Sequence, residues 1–205
     1  MVSNIEVILF DLGGVLIELS GMQTFLGWSG EGMTPEKVWE KWLSSPTVRD
    51  FETGRIDHNV FADLIIEEMS LSVGSEHFLD EFISWPSGLF PGARDLLNRI
   101  PAEYILAVLS NTNALHWPRM MDEIGHDEVF DHFFASHIIG KLKPDLEVFE
   151  HVLTELNCNP DSILFIDDNR LNVEAASRAG IVAEESRGIE QAMQVLIQYG
   201  VIEKS

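Results

Sequence analysis

The sequence predicts an α/β protein: a doubly wound parallel sheet with a small helical domain inserted after its first strand. Three observations carry this. Short apolar runs recur along the chain, and each stops at a polar residue. Amphipathic stretches lie between those runs, the alternation that gives a parallel sheet with right-handed crossovers. One long segment, residues 18–88, breaks the alternation and carries helical patterns alone.

Residues 5–10 (IEVILF) end at Asp11, residues 104–109 (YILAVL) at Ser110, and residues 162–166 (SILFI) at Asp167 and Asp168. Near-continuous apolar runs of this length suit strands buried on both faces of a parallel sheet. Residues 130–135 and 181–183 predict two further short strands. Helices are expected over 91–99, 113–124, 144–156 and 170–179. In 144–156, Leu146, Val148, Phe149, Val152, Leu153 and Leu156 recur at helical spacing, and Pro144 suits the first turn of that helix. The stretch 170–179 is alanine-rich and stops at Gly180, a residue suited to a helix C-terminus. Within the insertion, helices are expected over 35–43, 58–69 and 76–83. The expected organisation is a core formed by 1–17 and 89–205 and an inserted domain over 18–88.

Lys and Arg number 13 against 34 Asp and Glu, a formal net charge of −21. A field of that sign repels nucleic acid and anionic membrane surfaces, so neither is an expected partner. It equally repels anionic metabolites, so any phosphate site must be rescued locally by a cation or by backbone N–H groups. The single cysteine, Cys158, cannot form an internal disulfide, which fits a reducing compartment. No apolar run reaches the roughly 18–20 residues of a membrane span. The first run, 5–19, is interrupted by Glu6, Asp11 and two glycines and lacks a basic leader. A soluble, cytoplasmic protein is expected.

In an open parallel sheet, ligands bind beyond the carboxyl ends of the strands. Asp11, Ser110 with Asn111, and Asp167 with Asp168 would therefore face one crevice. Each alone reads as a turn or cap residue, the ordinary use of Asp, Ser and Asn. Three such ends, each directly after an apolar strand, read as a site.

Four stretches, in this order, resemble the motifs of the haloacid dehalogenase (HAD) superfamily: Asp11-Leu12-Gly13-Gly14-Val15-Leu16, Leu109-Ser110-Asn111-Thr112-Asn113, Gly140-Lys141-Leu142-Lys143-Pro144 and Phe165-Ile166-Asp167-Asp168-Asn169. They span nearly the whole chain. The core then resembles that family's Rossmann-like domain, and the insertion resembles the helical cap of its phosphatase-rich branch. The combination is similar to bacterial glucose-1-phosphate phosphatases and to the phosphatase domain of soluble epoxide hydrolases. This resemblance implies a Mg²⁺-dependent phosphatase acting on a small phosphorylated metabolite, with sugar phosphates among the candidates. It implies Asp11 as nucleophile, and Mg²⁺ held by Asp11, the Gly13 carbonyl and Asp168. Ser110 and the N–H of Asn111 would hold phosphate oxygens, Lys143 would supply positive charge, and Asp167 would orient Lys143 or water. A carboxylate attacking phosphorus splits one displacement into two easier ones. Its approach to a phosphate dianion needs charge neutralisation, which a hard cation and a lysine provide. Lys141 is the rival to Lys143 and reads as an exposed loop lysine. Asn172, one helical turn past Asp168, is within reach of the metal's water shell.

Gly13 departs from the family pattern. Most family phosphatases carry a second Asp there, which protonates the leaving group and later activates water. Glu18, His58 and His116 are substitutes by residue type, though each reads first as a surface or packing residue. In the insertion, 21–32 reads as a glycine-rich loop carrying Phe25 and Trp28 that closes over the site. Arg49 and Arg55 are either anion contacts or, more simply, partners of neighbouring carboxylates. His77, His126, His132, His137 and His151 show no zinc-ligand spacing. Two further readings stay open: a 2-haloacid dehalogenase-type hydrolase, in which Asp attacks carbon without metal, and a non-catalytic binding or regulatory protein on the same fold. Gly13 and Asp167-Asp168 count against the first. The joint presence of Asp11, Ser110, Lys143 and Asp168 counts against the second.

Overall fold

The structure, a computed structural model, describes residues 4–124 and 129–204; His126 lies outside them. In chain order the elements are β1 (Val7–Phe10), β2 (Ile17–Leu19), α1 (Met22–Trp28), α2 (Pro35–Ser44), α3 (Pro46–Glu52), α4 (His58–Met69), α5 (Ser75–Phe82), β3 (Pro86–Leu89), α6 (Ala93–Asn98), β4 (Ile105–Ser110), α7 (Trp117–Ile124), β5 (His132–Ala135), α8 (Ser136–Ile139), α9 (Leu146–Leu156), β6 (Ile163–Asp167), α10 (Arg170–Arg178), β7 (Val182–Glu185) and α11 (Gly188–Gln198).

Five strands form one parallel sheet in the order β5-β4-β1-β6-β7. The apolar run of β1 is explained by its two covered faces. Val7 and Leu9 pack with Val148 and Phe149 of α9 and Ala175 of α10. Ile8 and Phe10 pack with Leu96 of α6, Met120 of α7 and Leu196 of α11. Alternate residues of one strand thus serve two separate cores, as the period of two requires. The strand order reverses at β1, where a doubly wound sheet opens its crevice. Phe10 is level with Val108 of β4 and Ile166 of β6, so the residues just beyond them converge at that opening.

Some helices start later than expected. Asn113 Oδ1 accepts the N–H groups of Leu115 and His116, which forms a separate turn, and α7 begins only at Trp117. In the stretch before α9, the backbone of Lys143 is held on both sides by the side chain of Asn111. Asp145 takes the position that opens the helix, and Pro144 lies before it rather than in its first turn. The end of α10 is as expected, with Gly180 at a positive φ of 86°.

The segment between β2 and β3 is helical, but it differs from the expectation in three places. Residues 22–28 are a helix, not a closing loop. Phe25 is buried against Trp42 and Trp85, while Trp28 packs on His77 and Phe78. The short helix α3 opens on Pro46, with Ser45 Oγ accepting the Val48 N–H. The strands β2 and β3 pair antiparallel as a small ribbon joining the two ends of the segment; Pro86 and Gly88 disguise it in the sequence. Inside the segment, aromatic rings form the core: Phe51 stacks on Phe61 at 4.1 Å, and Phe78 on Phe82 at 5.4 Å. Trp85 lies flat against Gly21, where a Cβ would fall 2.0 Å from an indole carbon, so the contact requires glycine. Among the described residues, no helix is long and apolar enough to cross a membrane.

Candidate active site

Asp11 follows β1, Ser110 ends β4 and Asp167 ends β6, so three neighbouring strands deliver them to one place. Lys143 arrives from the loop before α9 and is almost wholly buried, at 2% exposure. Its ammonium meets Asp11 Oδ1 at 2.9 Å, Asp167 Oδ2 at 2.6 Å and the Leu109 carbonyl at 2.9 Å. Three acceptors match the three hydrogens of an ammonium. Asn111 fixes the backbone behind it: its Oδ1 accepts the Lys143 N–H at 2.9 Å, and its Nδ2 donates to the Lys143 carbonyl at 2.8 Å. Asn111 was expected to act through its own N–H; its side chain is the clamp that sets the lysine.

Asp167 is fully buried, and its oxygens accept from Lys143, from Asn172 Nδ2 at 3.0 and 3.1 Å, and from the Asn169 N–H at 2.8 Å. Its lone pairs are therefore occupied. Asp168 lies beside it, and one oxygen of each of Asp11, Asp167 and Asp168 falls within 4.8 Å of the others. Gly14, at a φ of 77°, lets the loop come this close: a Cβ there would sit 2.6 Å from Asp168 Oδ2. Gly13 is not in the left-handed region, and a Cβ on it would meet only the Leu19 side chain, at 3.0 Å.

These residues suit a hard divalent cation. Three carboxylates against one ammonium leave two negative charges, which such an ion cancels, and oxygen donors are what Mg²⁺ prefers. The buried Oδ1 of Asn172 has no hydrogen-bond partner, and Asn172 is among the residues bordering the cavity in front of these groups. An acceptor stranded there fits a donor water on a bound ion.

Electrostatics tell the same story. Burial pushes the Asp11 carboxyl up to about 7; Lys143 pulls it down, and Asp167 and Asp168 push it further up. Burial and then the charge of Asp167 push Asp168 up to about 6, partly offset by Lys143 and Arg187. Burial alone would lower Lys143, but Asp11 and Asp167 outweigh it and push the ammonium up to about 12.

The folded protein therefore holds protons between pH 6 and 8 that the unfolded chain has released, and metal-free stability falls as pH rises through that window. His116 works in the opposite direction only up to its ordinary 6.5. Melting curves in EDTA are expected to show a lower Tm at pH 8 than at pH 6, with each proton worth about 1.4 kcal/mol per pH unit. Added Mg²⁺ should raise Tm more at pH 8 than at pH 6, because the ion competes with those protons. An EDTA Tm that rises across the window would contradict the raised carboxyls.

A cavity of 540 Å³ lies between the sheet and the helical segment, bordered by Asp11, Ser110, Lys143 and Asp168 on one side and by Trp42 and Trp85 on the other. Of the three substitutes by residue type for the missing acid, one borders this cavity. Glu18 and His58 are exposed and do not border the cavity. His116 borders it, but Nε2–H donates to the Phe82 carbonyl at 2.7 Å and Nδ1 faces Asn113 Nδ2 at 3.2 Å. Burial holds that ring neutral, its value pushed down to about 4. Lys141 stays outside the cavity. Arg49 pairs with Asp145 across the two parts of the molecule, and Arg55 pairs with Asp50 at 3.1 Å, so both arginines serve as partners of carboxylates.

One residue escaped the sequence reading. Glu52, at the end of α3, borders the cavity, and burial pushes it up to about 7 against the Trp42 indole and the Lys143 charge. Nothing in the sequence distinguished it from the other twelve acidic residues of 18–88.

Residues 5–180 match the family model described as haloacid dehalogenase-like hydrolase. The chain is similar to a sesquiterpene phosphatase of Aspergillus oryzae, 28% identical, with 89% of this chain and 90% of that protein covered. It is similar to a D-ribitol-5-phosphate phosphatase of Bacteroides thetaiotaomicron, 22% identical, covering 86% and 89%. A solved HAD family enzyme from Bacteroides thetaiotaomicron, in complex with magnesium and inorganic phosphate, is similar in structure with a TM-score of 0.70. It is 26% identical, with 89% of this chain and 94% of that chain covered.

Proposed function

Because the chain belongs to the haloacid dehalogenase-like hydrolase family, we propose that it is a Mg²⁺-dependent phosphatase hydrolysing a small phosphorylated metabolite, sugar phosphates included, through an aspartyl-phosphate on Asp11. The observation that carries this is the buried Lys143 ammonium shared by Asp11 and Asp167 beside Asp168. The phosphatase names of the two relatives, and the magnesium and phosphate named with the solved neighbour, support it.

Lys143 holds one oxygen of Asp11 and leaves the other to attack phosphorus. The bond from phosphorus to the alcohol oxygen breaks, and water then hydrolyses the aspartyl-phosphate to return the carboxylate. Ser110 Oγ and the Asn111 N–H hold phosphate oxygens, while Asp167 and Asn111 keep Lys143 aimed. Asp11, the Gly13 carbonyl and Asp168 would hold Mg²⁺, which would supply the positive charge that a phosphate dianion needs in order to approach a carboxylate. Gly13 has no proton to give, so this reading favours esters of acidic alcohols. In this proposal, residues 18–88 act as a cap over the core formed by 1–17 and 89–205. The single cysteine supports a cytoplasmic setting.

The test is phosphate release from p-nitrophenyl phosphate. Activity should vanish in EDTA, return with Mg²⁺, and be lost in Asp168→Ala. Full turnover in EDTA would favour dehalogenase-type chemistry instead.

A further inference from the structure

We propose that the substrate is the monophosphate of an apolar alcohol, its phosphate at Asp11 and its hydrocarbon tail in the cavity under the helical segment. This rests on the phosphatase reading above and names the leaving alcohol.

The cavity is far larger than a phosphate group needs: at about 30 Å³ per liquid water, its 540 Å³ would hold roughly eighteen. Leu19, Trp39, Leu43 and Leu171 border it and are 44–56% exposed. Exposed apolar groups scattered singly need no explanation, but four bordering one opening mark a surface that a ligand covers. Deeper in, Phe25, Trp42 and Trp85 continue the apolar wall.

Most polar side chains along the wall are engaged within the protein; the buried Trp85 Nε1–H has no partner among the described residues and is left as a donor to the ligand. Ser44 Oγ donates to the Glu40 carbonyl and Ser45 Oγ accepts the Val48 N–H. Asn111 clamps Lys143, while Asn113 and His116 hold local backbone groups and each other. Beyond the Trp85 donor, a sugar would have to break such bonds to satisfy its other hydroxyls, leaving buried groups unpaired; a hydrocarbon asks for none. The two cations on the wall are also occupied, Lys143 by three acceptors and Arg49 by Asp145. No second anionic group is provided for, so the ligand carries one phosphate.

The experiment measures kcat/KM in Mg²⁺ buffer for phenyl phosphate and 4-n-alkylphenyl phosphates from ethyl to octyl, below micelle formation. Leaving-group acidity is nearly constant along this series, so chain length is the variable. Each methylene should raise kcat/KM about two- to fourfold until the cavity is filled. The 4-octylphenyl ester should exceed glucose-1-phosphate by at least tenfold. Leu43→Asp, a change at the exposed rim, should reduce the dependence on chain length. A rate flat in chain length, or glucose-1-phosphate preferred, would overturn the apolar substrate while leaving the phosphatase reading in place. Failure to release phosphate from any of these esters or from p-nitrophenyl phosphate would overturn both.

Discussion

Asp11→Asn should fold normally and release no phosphate above background. The asparagine has nearly the same shape, and its Oδ1 can still accept from Lys143, but it is not a nucleophile. Losing a nucleophile leaves only binding and electrostatic assistance, so kcat should fall by roughly 10⁴-fold or more. Because burial dominates the Asp11 shift, removing its charge should not lower the Tm of the metal-free protein at pH 8. Steady-state phosphate release and melting curves on the two proteins decide this. Wild-type turnover in the variant would remove the covalent route.

Lys143→Met should be the most destabilising change at the site as well as an inactivating one. The methionine fills much of the same volume but leaves Asp11 and Asp167 without the ammonium that each meets within 3 Å. Breaking a buried ion pair by removing one partner costs about 3–5 kcal/mol, or about 6–20 °C in a chain of this size. The sign with pH follows from the carboxyls: as Asp11 and Asp168 take up protons below about pH 7 and 6, less charge is stranded. The Tm deficit should therefore be larger at pH 8 than at pH 5, in EDTA at both. An equal deficit at the two pH values would mean that lost packing, not lost charge, causes it.

The sheet was legible because both faces of β1, β4 and β6 are covered, and that demand writes an unbroken apolar run. The residues at the strand ends were legible for the same reason, since a carboxylate directly after such a run has nowhere to go but the crevice. The residues that orient them were hidden. Asn111 reads as a turn residue until Lys143 is seen 32 positions away between its amide oxygen and nitrogen. Glu52 reads as solvated surface until α3 turns it inward. In the helical segment, α1 and α3 are only seven residues each, too short for a periodic pattern, and ring packing across the segment fixes them. The loop expected over 21–32 is a helix over Met22–Trp28, and Gly21 is there so that Trp85 can lie against the backbone.

The β2–β3 ribbon has a mechanical consequence. The chain leaves the sheet for the helices and returns along paired strands, so two crossings act as one joint. Two separated linkers would let a body twist or slide between them; a single strip lets it turn about one line. Leu19 and Pro86 lie on that line and also border the cavity. That edge of the wall would keep its place in any swing of the helices, and the opening would widen from the opposite side.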